Sequence, residues 1–169
     1  MRLRGQHVTL RPPTLEDVEA LAAILAEPSV ARWWPDYDAE RVRRELFTDD
    51  PEEEPYVIEH QGQVVGYIQV VEEDDPEFRH ASIDLYLARG SQGQGLGPDA
   101  IRTVAADLID RRGHHRLTID PAADNARAIA AYAKVGFRPV GRMRRYQRVA
   151  SGVWVDGLLM EMLAHELVR

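Results

Sequence analysis

Gln92, Gly93, Gln94, Gly95, Leu96 and Gly97 fall between an expected strand and an expected helix, and they carry the strongest chemical signal in the sequence. Glycines at that place let backbone N–H groups approach an anion, and the helix that follows adds the positive end of its dipole. An anionic, phosphate-bearing cofactor is the natural occupant; the alternative is a loop that is merely flexible. The run is not a dinucleotide fingerprint, because it comes late in the chain with different glycine spacing, and the Gly-Lys-Ser/Thr ending of a phosphate loop is absent. Upstream, Asp84 interrupts the apolar stretch Ala81 to Ala88, and Asp120 closes another strand just before Pro121. The chain has no cysteine, which removes disulfides, zinc–thiolate sites and thiol nucleophiles together. His114 and His115 are adjacent, not at metal-ligand spacing, and read as surface loop; no metal is expected.

The elements that must position these residues follow from periodicity. His7 to Arg11 reads as a first strand; Thr14 and Asp17 resemble a capping box before the helical stripe Val18, Leu21, Ala22 and Leu25. A second helix starts near Asp38 with Val42 and Leu46 on one face. Between the two, Trp33 and Trp34 cannot both face the core from one helix or strand, so at least one lines a surface or cleft. Residues 49 to 54 read as a solvated acidic loop, and Tyr56 to His60 with Val64 to Val71 as a hairpin around Gln61, Gly62 and Gln63. Ala81 to Ala88 is a strand, and Ile101, Val104, Ala105, Leu108 and Ile109 mark a helix that tolerates Pro98 in its first turn. His115 to Asp120 returns as a strand parallel to the one before the loop. Asn125 caps a helix to about Lys134, and strands near 138–149 and 153–163 close the chain. The expected fold class is α/β, equivalently α+β: a mixed, mostly antiparallel sheet flanked by helices, with a βαβ unit at the glycine loop.

At 169 residues, 44% hydrophobic and 29% charged, the sequence reads as a single globular domain over 1–169. Its net charge of −7 argues against nucleic acid or an anionic membrane as the main partner and makes a cationic one more plausible. No apolar run approaches a membrane span and the first residues lack a signal peptide's apolar stretch, so the expected location is the cytoplasm.

Two motifs in order, Gln92-x-x-Gly95-x-Gly97 and Asn125-x-x-Ala128-Ile129-x-x-Tyr132-x-Lys134-x-Gly136-Phe137, resemble the GNAT superfamily of acetyl-CoA-dependent N-acetyltransferases. Ile83-Asp84-Leu85, Ile119-Asp120-Pro121, Trp33-Trp34 and Asp156-Gly157 look most like the aminoglycoside 6'-N-acetyltransferases, in which an Asp stands eight residues before the loop's Gln/Arg and an Asp-Pro twelve before the tyrosine. The resemblance implies acetyl-CoA as cofactor, with its pyrophosphate on the amides of residues 93 to 97 and its pantetheine arm along Leu85, Tyr86 and Leu87. It brings Asn125 and Tyr132 into the cofactor site, and it implies that Tyr132 is the general acid toward the departing thiolate. It implies a polycationic small-molecule amine as substrate, and a monomer or homodimer.

The chemistry sets its own demands. An amine attacks only when unprotonated, and one with pKa near 10.4 loses availability by roughly 1.36 kcal/mol per pH unit below that value. Asp84 is the candidate to bind the ammonium and take its proton, directly or through water; the alternatives are cation binding alone, or a solvent-facing position. Asp120 either captures a second ammonium or starts the turn at Pro121, and Tyr132 is either acid or core. Trp33 and Trp34 either stack on a sugar ring or pack over the cleft. Asp36 and Asp156 join the substrate candidates; Asp38, Glu72, Glu73, Asp74 and Asp75 taken singly read as solvated charges. Arg142, Arg144, Arg145 and Arg148 form an exposed basic stretch that would contact the CoA phosphates. The competing functions are acetylation of another amine (a polyamine, a siderophore lysine or a protein N-terminus) and a noncatalytic acyl-CoA-binding module.

Overall fold

A computed structural model describes residues 1–169. Its centre is one eight-stranded sheet in the order β1-β2-β3-β4-β5-β6-β8-β7, formed by β1 (Leu3–Arg4), β2 (Thr9–Arg11), β3 (Glu53–His60), β4 (Gln63–Glu73), β5 (His80–Leu87), β6 (Arg116–Ile119), β7 (Arg138–Arg148) and β8 (Trp154–Leu163). Every neighbouring pair is antiparallel except β5 with β6, the pair joined through the glycine loop. The expected mixed sheet and its single parallel crossover are thus present. No helix is long and apolar enough to cross a membrane.

Alternation along the central strands divides the interior in two. Ile68 and Val70 of β4 with Ala81 and Ile83 of β5 meet Ala100, Ile101, Val104 and Ala105 of α4 (Leu96–Ala106) on one face. Tyr67 and Tyr86 point the other way, under Val18, Leu21 and Leu25 of α1 (Asp17–Leu25) and Val42 and Leu46 of α3 (Ala39–Leu46). Each fully buried Ile or Leu in these layers contributes about 1.5–3 kcal/mol. Asp99, in the first turn of α4, is buried and accepts the N–H groups of Gln6, His7 and Val8 at 3.0, 2.7 and 3.0 Å, which ties the β1–β2 turn to the helix behind the glycine loop.

Several sequence expectations need correction. The strand expected over His7 to Arg11 is shorter, Thr9–Arg11, and an unexpected two-residue strand, Leu3–Arg4, precedes it. A one-turn helix, α2 (Pro28–Ala31), precedes Trp33. The capping box is only half made: the Asp17 carboxylate takes the Thr14 N–H at 2.6 Å, but the Thr14 hydroxyl donates to Asp17 at 2.9 Å instead of capping the helix. The Asp17 N–H goes to the Thr14 carbonyl at 3.0 Å, and Arg11 grips both Asp17 oxygens at 2.7 Å. The acidic loop 49–54 ends early, because β3 begins at Glu53 and Glu54 is paired with Arg112. His114 is buried rather than on a surface loop, its Nε2 2.5 Å from Glu72 Oε2, and the same Glu72 is held by Arg112 at 2.5 Å. Glu72 is therefore an internal ion-pair partner rather than a solvated charge.

Candidate active site

β5 and β6 pair only at Ala81↔Leu117 and Ser82↔Thr118, after which β6 stops and β5 runs on to Leu87. Ala88 N–H bonds Val65 O at 2.9 Å, so even-numbered residues of this strand face β4, and the backbones of Ile83, Leu85 and Leu87 face the gap where β6 has ended. Gln92 Nε2 donates to Leu87 O at 2.8 Å, and the Leu85 N–H donates to Asp84 Oδ1 at 2.9 Å. An open strand edge of this kind can pair with an extended amide-bearing chain. Tyr86 does not share that edge: its backbone faces β4 and its ring stacks on Tyr67 with centroids 5.4 Å apart, under the opposite cleft.

The gap leads to the glycine loop. Gly95 is the N-cap of α4 at φ 80°, a left-handed conformation that side chains disfavour, and nothing lies within 4 Å of where a Cβ would stand. Leu96 sends its side chain into the core, and Asp99, whose N–H is bonded to Gly95 O at 3.1 Å, turns its carboxylate back to the β1–β2 turn; Pro98 carries no N–H, so the amides left for a ligand in the first turn of α4 are those of Leu96 and Gly97. The open strand edge, the bare amides and the helix dipole fit a long cofactor with an amide arm and a diphosphate. The cation beside the loop is Arg127, in the first turn of α5 (Ala126–Ala133), whose N-cap Asn125 accepts the Ala128 N–H at 3.2 Å. In the basic stretch of β7, Arg142 pairs with Asp156 at 3.0 Å, Gln147 Nε2 donates to Trp33 O at 2.6 Å, and Arg148 lines a cavity with Trp33 and Trp34.

Across the gap the side chains take over. Asp84 pairs with Gln69 on the sheet face shared by Tyr67 and Tyr86. Water reaches the Asp84 carboxyl from the cleft, yet the surrounding protein pushes its pKa up to about 7, with the charges of Asp120 and Glu45 adding to the effect and the Leu85 N–H opposing it. Asp120, half-buried after β6, accepts a 2.5 Å hydrogen bond from Tyr146; burial raises its pKa while that bond lowers it. Tyr132 extends from α5, half-buried, and is held above the ordinary phenol pKa by burial and then by the charges of Asp84 and Asp120. The structure thus brings Asp84, Asp120 and Tyr132 together from three separate elements.

Trp34 packs edge-on against Tyr37 and Tyr86, with centroids at 5.9 and 5.1 Å, which makes it a wall of the cleft. Trp33 carries Arg32 over its ring at 4.5 Å. Both tryptophans line an outer cavity of about 420 Å³ with Asp36, Tyr37, Arg41 and Arg148, and neither Asp84 nor Asp120 lines it. Asp36 is exposed with φ 62°, and Asp38 is the N-cap of α3. Asp156 accepts Arg145 N–H at 2.8 Å and Arg142 Nη1 at 3.0 Å, which lowers its pKa and leaves its charge already matched.

Sequence reading missed Tyr146, Glu45 and Arg127. Tyr146 reaches Asp120 because β7 is irregular between Met143 and Gln147, with Arg145 at φ 49°. A signal existed in Gly157, since a Cβ there would come within 2.7 Å of the Tyr146 ring. Glu45 and Arg127 act through tertiary placement and leave no local pattern.

The acetyltransferase (GNAT) domain family matches residues 7–138. The chain belongs to the GNAT acetyltransferases. It is an acetyl-CoA-dependent N-acetyltransferase. It is 31% identical over 157 residues to aminoglycoside N(6')-acetyltransferase type 1 of Klebsiella pneumoniae, covering 79% of this chain and 75% of that one. Spermidine N(1)-acetyltransferase of Escherichia coli K12 is 24% identical over 164 residues, covering 94% and 87%. Among solved structures, Mycobacterium smegmatis RimJ in complex with CoA-disulfide superposes with a TM-score of 0.83 at 27% identity, over all of this chain and 88% of that one. The GNAT assignment makes acetyl-CoA the cofactor.

Proposed function

We propose that this acetyltransferase, acting as one domain, modifies a primary amine of a polycationic aminoglycoside, with the 6'-amino group favoured and with direct attack by the amine. The observation that carries the reading is the pair Asp84 and Asp120, set at the mouth of the cofactor gap, where burial makes both costly to ionise and the charge of Asp120 adds to the cost at Asp84. Two carboxylates crowded in this way are relieved by a ligand that brings two ammonium groups. The relative from Klebsiella pneumoniae, an aminoglycoside N(6')-acetyltransferase, supports the same substrate class.

Acetyl-CoA, when bound, supplies an acetyl group activated as a thioester. Asp84 holds the ammonium to be acetylated and takes its proton, a role for which a pKa of about 7 is well matched, since the group is substantially ionised at neutral pH and still basic. Asp120 holds a second ammonium, steadied by Tyr146. Tyr132 keeps its phenolic proton throughout the physiological range and so has one to give on the cofactor side. Trp34, Tyr37 and Tyr86 wall the cleft beside the carboxylates and present ring edges and faces to a sugar or an alkyl chain. Asp156, bound to Arg142, steadies β7 rather than reading the substrate. A linear polyamine is the second reading, favoured by the spermidine N(1)-acetyltransferase relative, and it would use the same two carboxylates.

A thiol-release assay with acetyl-CoA against kanamycin, tobramycin, spermidine and a neutral peptide tests the proposal. The expected order of kcat/KM is aminoglycosides first, spermidine next, peptide last. Turnover of spermidine or peptide without aminoglycoside turnover overturns the substrate class.

A further inference from the structure

We propose that Arg127 is the side-chain contact for the diphosphate of CoA, a job that the glycine loop does not do with backbone alone. Arg127 Nη1 donates to Gln92 Oε1 at 3.1 Å, and a Cβ placed on Gly93 would stand 3.2 Å from Arg127 Nη2, so the guanidinium lies directly against the loop. Gln92 is oriented for this: its Nε2 is committed to Leu87 O at 2.8 Å, which turns its oxygen toward the arginine. The first motif position therefore serves as a strut that aims a cation from another helix.

The electrostatics of the helix point the same way. A cation in the first turn of α5 sits at the positive end of that helix's dipole, and no acidic side chain in the turn offsets it. The neighbouring Asp124 is paired with Arg32 at 3.7 Å, and Arg127 makes no ion pair of its own. An exposed arginine placed against its local field, beside a second helix N-terminus and with its fork partly open, is stabilised by an anion bound between the two helix starts. The diphosphate is the anion that the cofactor brings to this loop. The inference concerns the donor end alone and holds whichever amine is acetylated.

Titration calorimetry of CoA, 3'-dephospho-CoA and pantetheine against wild type, Arg127→Gln and Arg127→Lys tests it without any acceptor. Arg127→Gln is expected to weaken CoA and 3'-dephospho-CoA alike, by about 10- to 100-fold, the scale of one hydrogen bond to a charged group, and to leave pantetheine unchanged. Arg127→Lys should recover part of the loss, because it keeps the charge but not the fork. Three results overturn the assignment. These are unchanged CoA affinity, a loss for CoA that 3'-dephospho-CoA does not share, which would move the contact to the 3'-phosphate, or an equal loss for pantetheine, which would reduce Arg127 to a strut for Gln92. Because the side chain is exposed, the variants should keep the wild-type melting temperature, and a matching Tm separates lost contact from lost fold.

Discussion

The proposed donor site combines backbone amides of the glycine loop with one arginine, all carried within one short run of sequence and the start of one later helix. The cleft on the other side of the β5–β6 gap offers carboxylates and aromatic rings from the α2–α3 connection, α3, β4, β5, the residue after β6, α5 and β7. The first half is fixed by conformation, since Gly95 must be left-handed and the first turn of α4 must be bare. The second is fixed by charge, since burial and the charge of Asp120 both raise the Asp84 pKa. Changes in the loop should therefore act on cofactor affinity and hardly on acceptor preference or pH profile, whereas changes in the cleft should do the reverse.

The largest expected effect is on the loop. Gly95→Asp forces a side chain into φ 80° and places a carboxylate against the bound anion, and CoA affinity measured by calorimetry should fall by more than about 100-fold. Retained affinity in a folded variant would remove the loop from the donor site. Tyr132→Phe, at the seam between the halves, should lower kcat by about 10²- to 10³-fold, the usual scale for one acid–base group, with CoA affinity nearly intact. Wild-type turnover in that variant would make Tyr132 a packing residue.

The two halves also differ in how legible they were. The loop, the α4 stripe of Ile101, Val104 and Ala105, and the β5–α4–β6 order are local patterns, and periodicity with turn chemistry finds them. Asp84 stood out because a carboxylate in an apolar strand demands a reason. His114 and Glu72 meet across 42 positions, and Tyr146 meets Asp120 only through an irregular strand, so no window of sequence holds either pair. The short β1 and α2 were missed because neither has enough residues to show a period. Asp17 shows a local rule half kept: its carboxylate takes the Thr14 N–H while also holding Arg11, a partner outside the helix that no capping pattern announces.

Smaller effects sharpen the acceptor half. Asp120→Asn should raise the acceptor KM by about 10-fold for a polycation and leave CoA binding unchanged, and it should move the acid limb of the kcat/KM profile to lower pH, because the lost negative charge no longer raises the Asp84 pKa. Tyr146→Phe should raise the same KM only a few-fold, since it removes a single hydrogen bond to Asp120. An equal effect on a neutral acceptor would show that neither group reads charge.

The most direct test of the account is the pH dependence of kcat/KM for a polycationic acceptor in wild type and Asp84→Asn. With Asp84 ionised above about 7 and taking a proton from a bound ammonium, the wild-type profile should rise through pH 7 and fall as the free amine loses its proton. In Asp84→Asn the limb at 7 should vanish and activity should climb only toward the amine's own pKa, so that the deficit is greatest near pH 7 to 8 and narrows at higher pH. A variant that keeps the wild-type limb, or loses activity by the same factor at every pH, would contradict the assignment of proton transfer to Asp84.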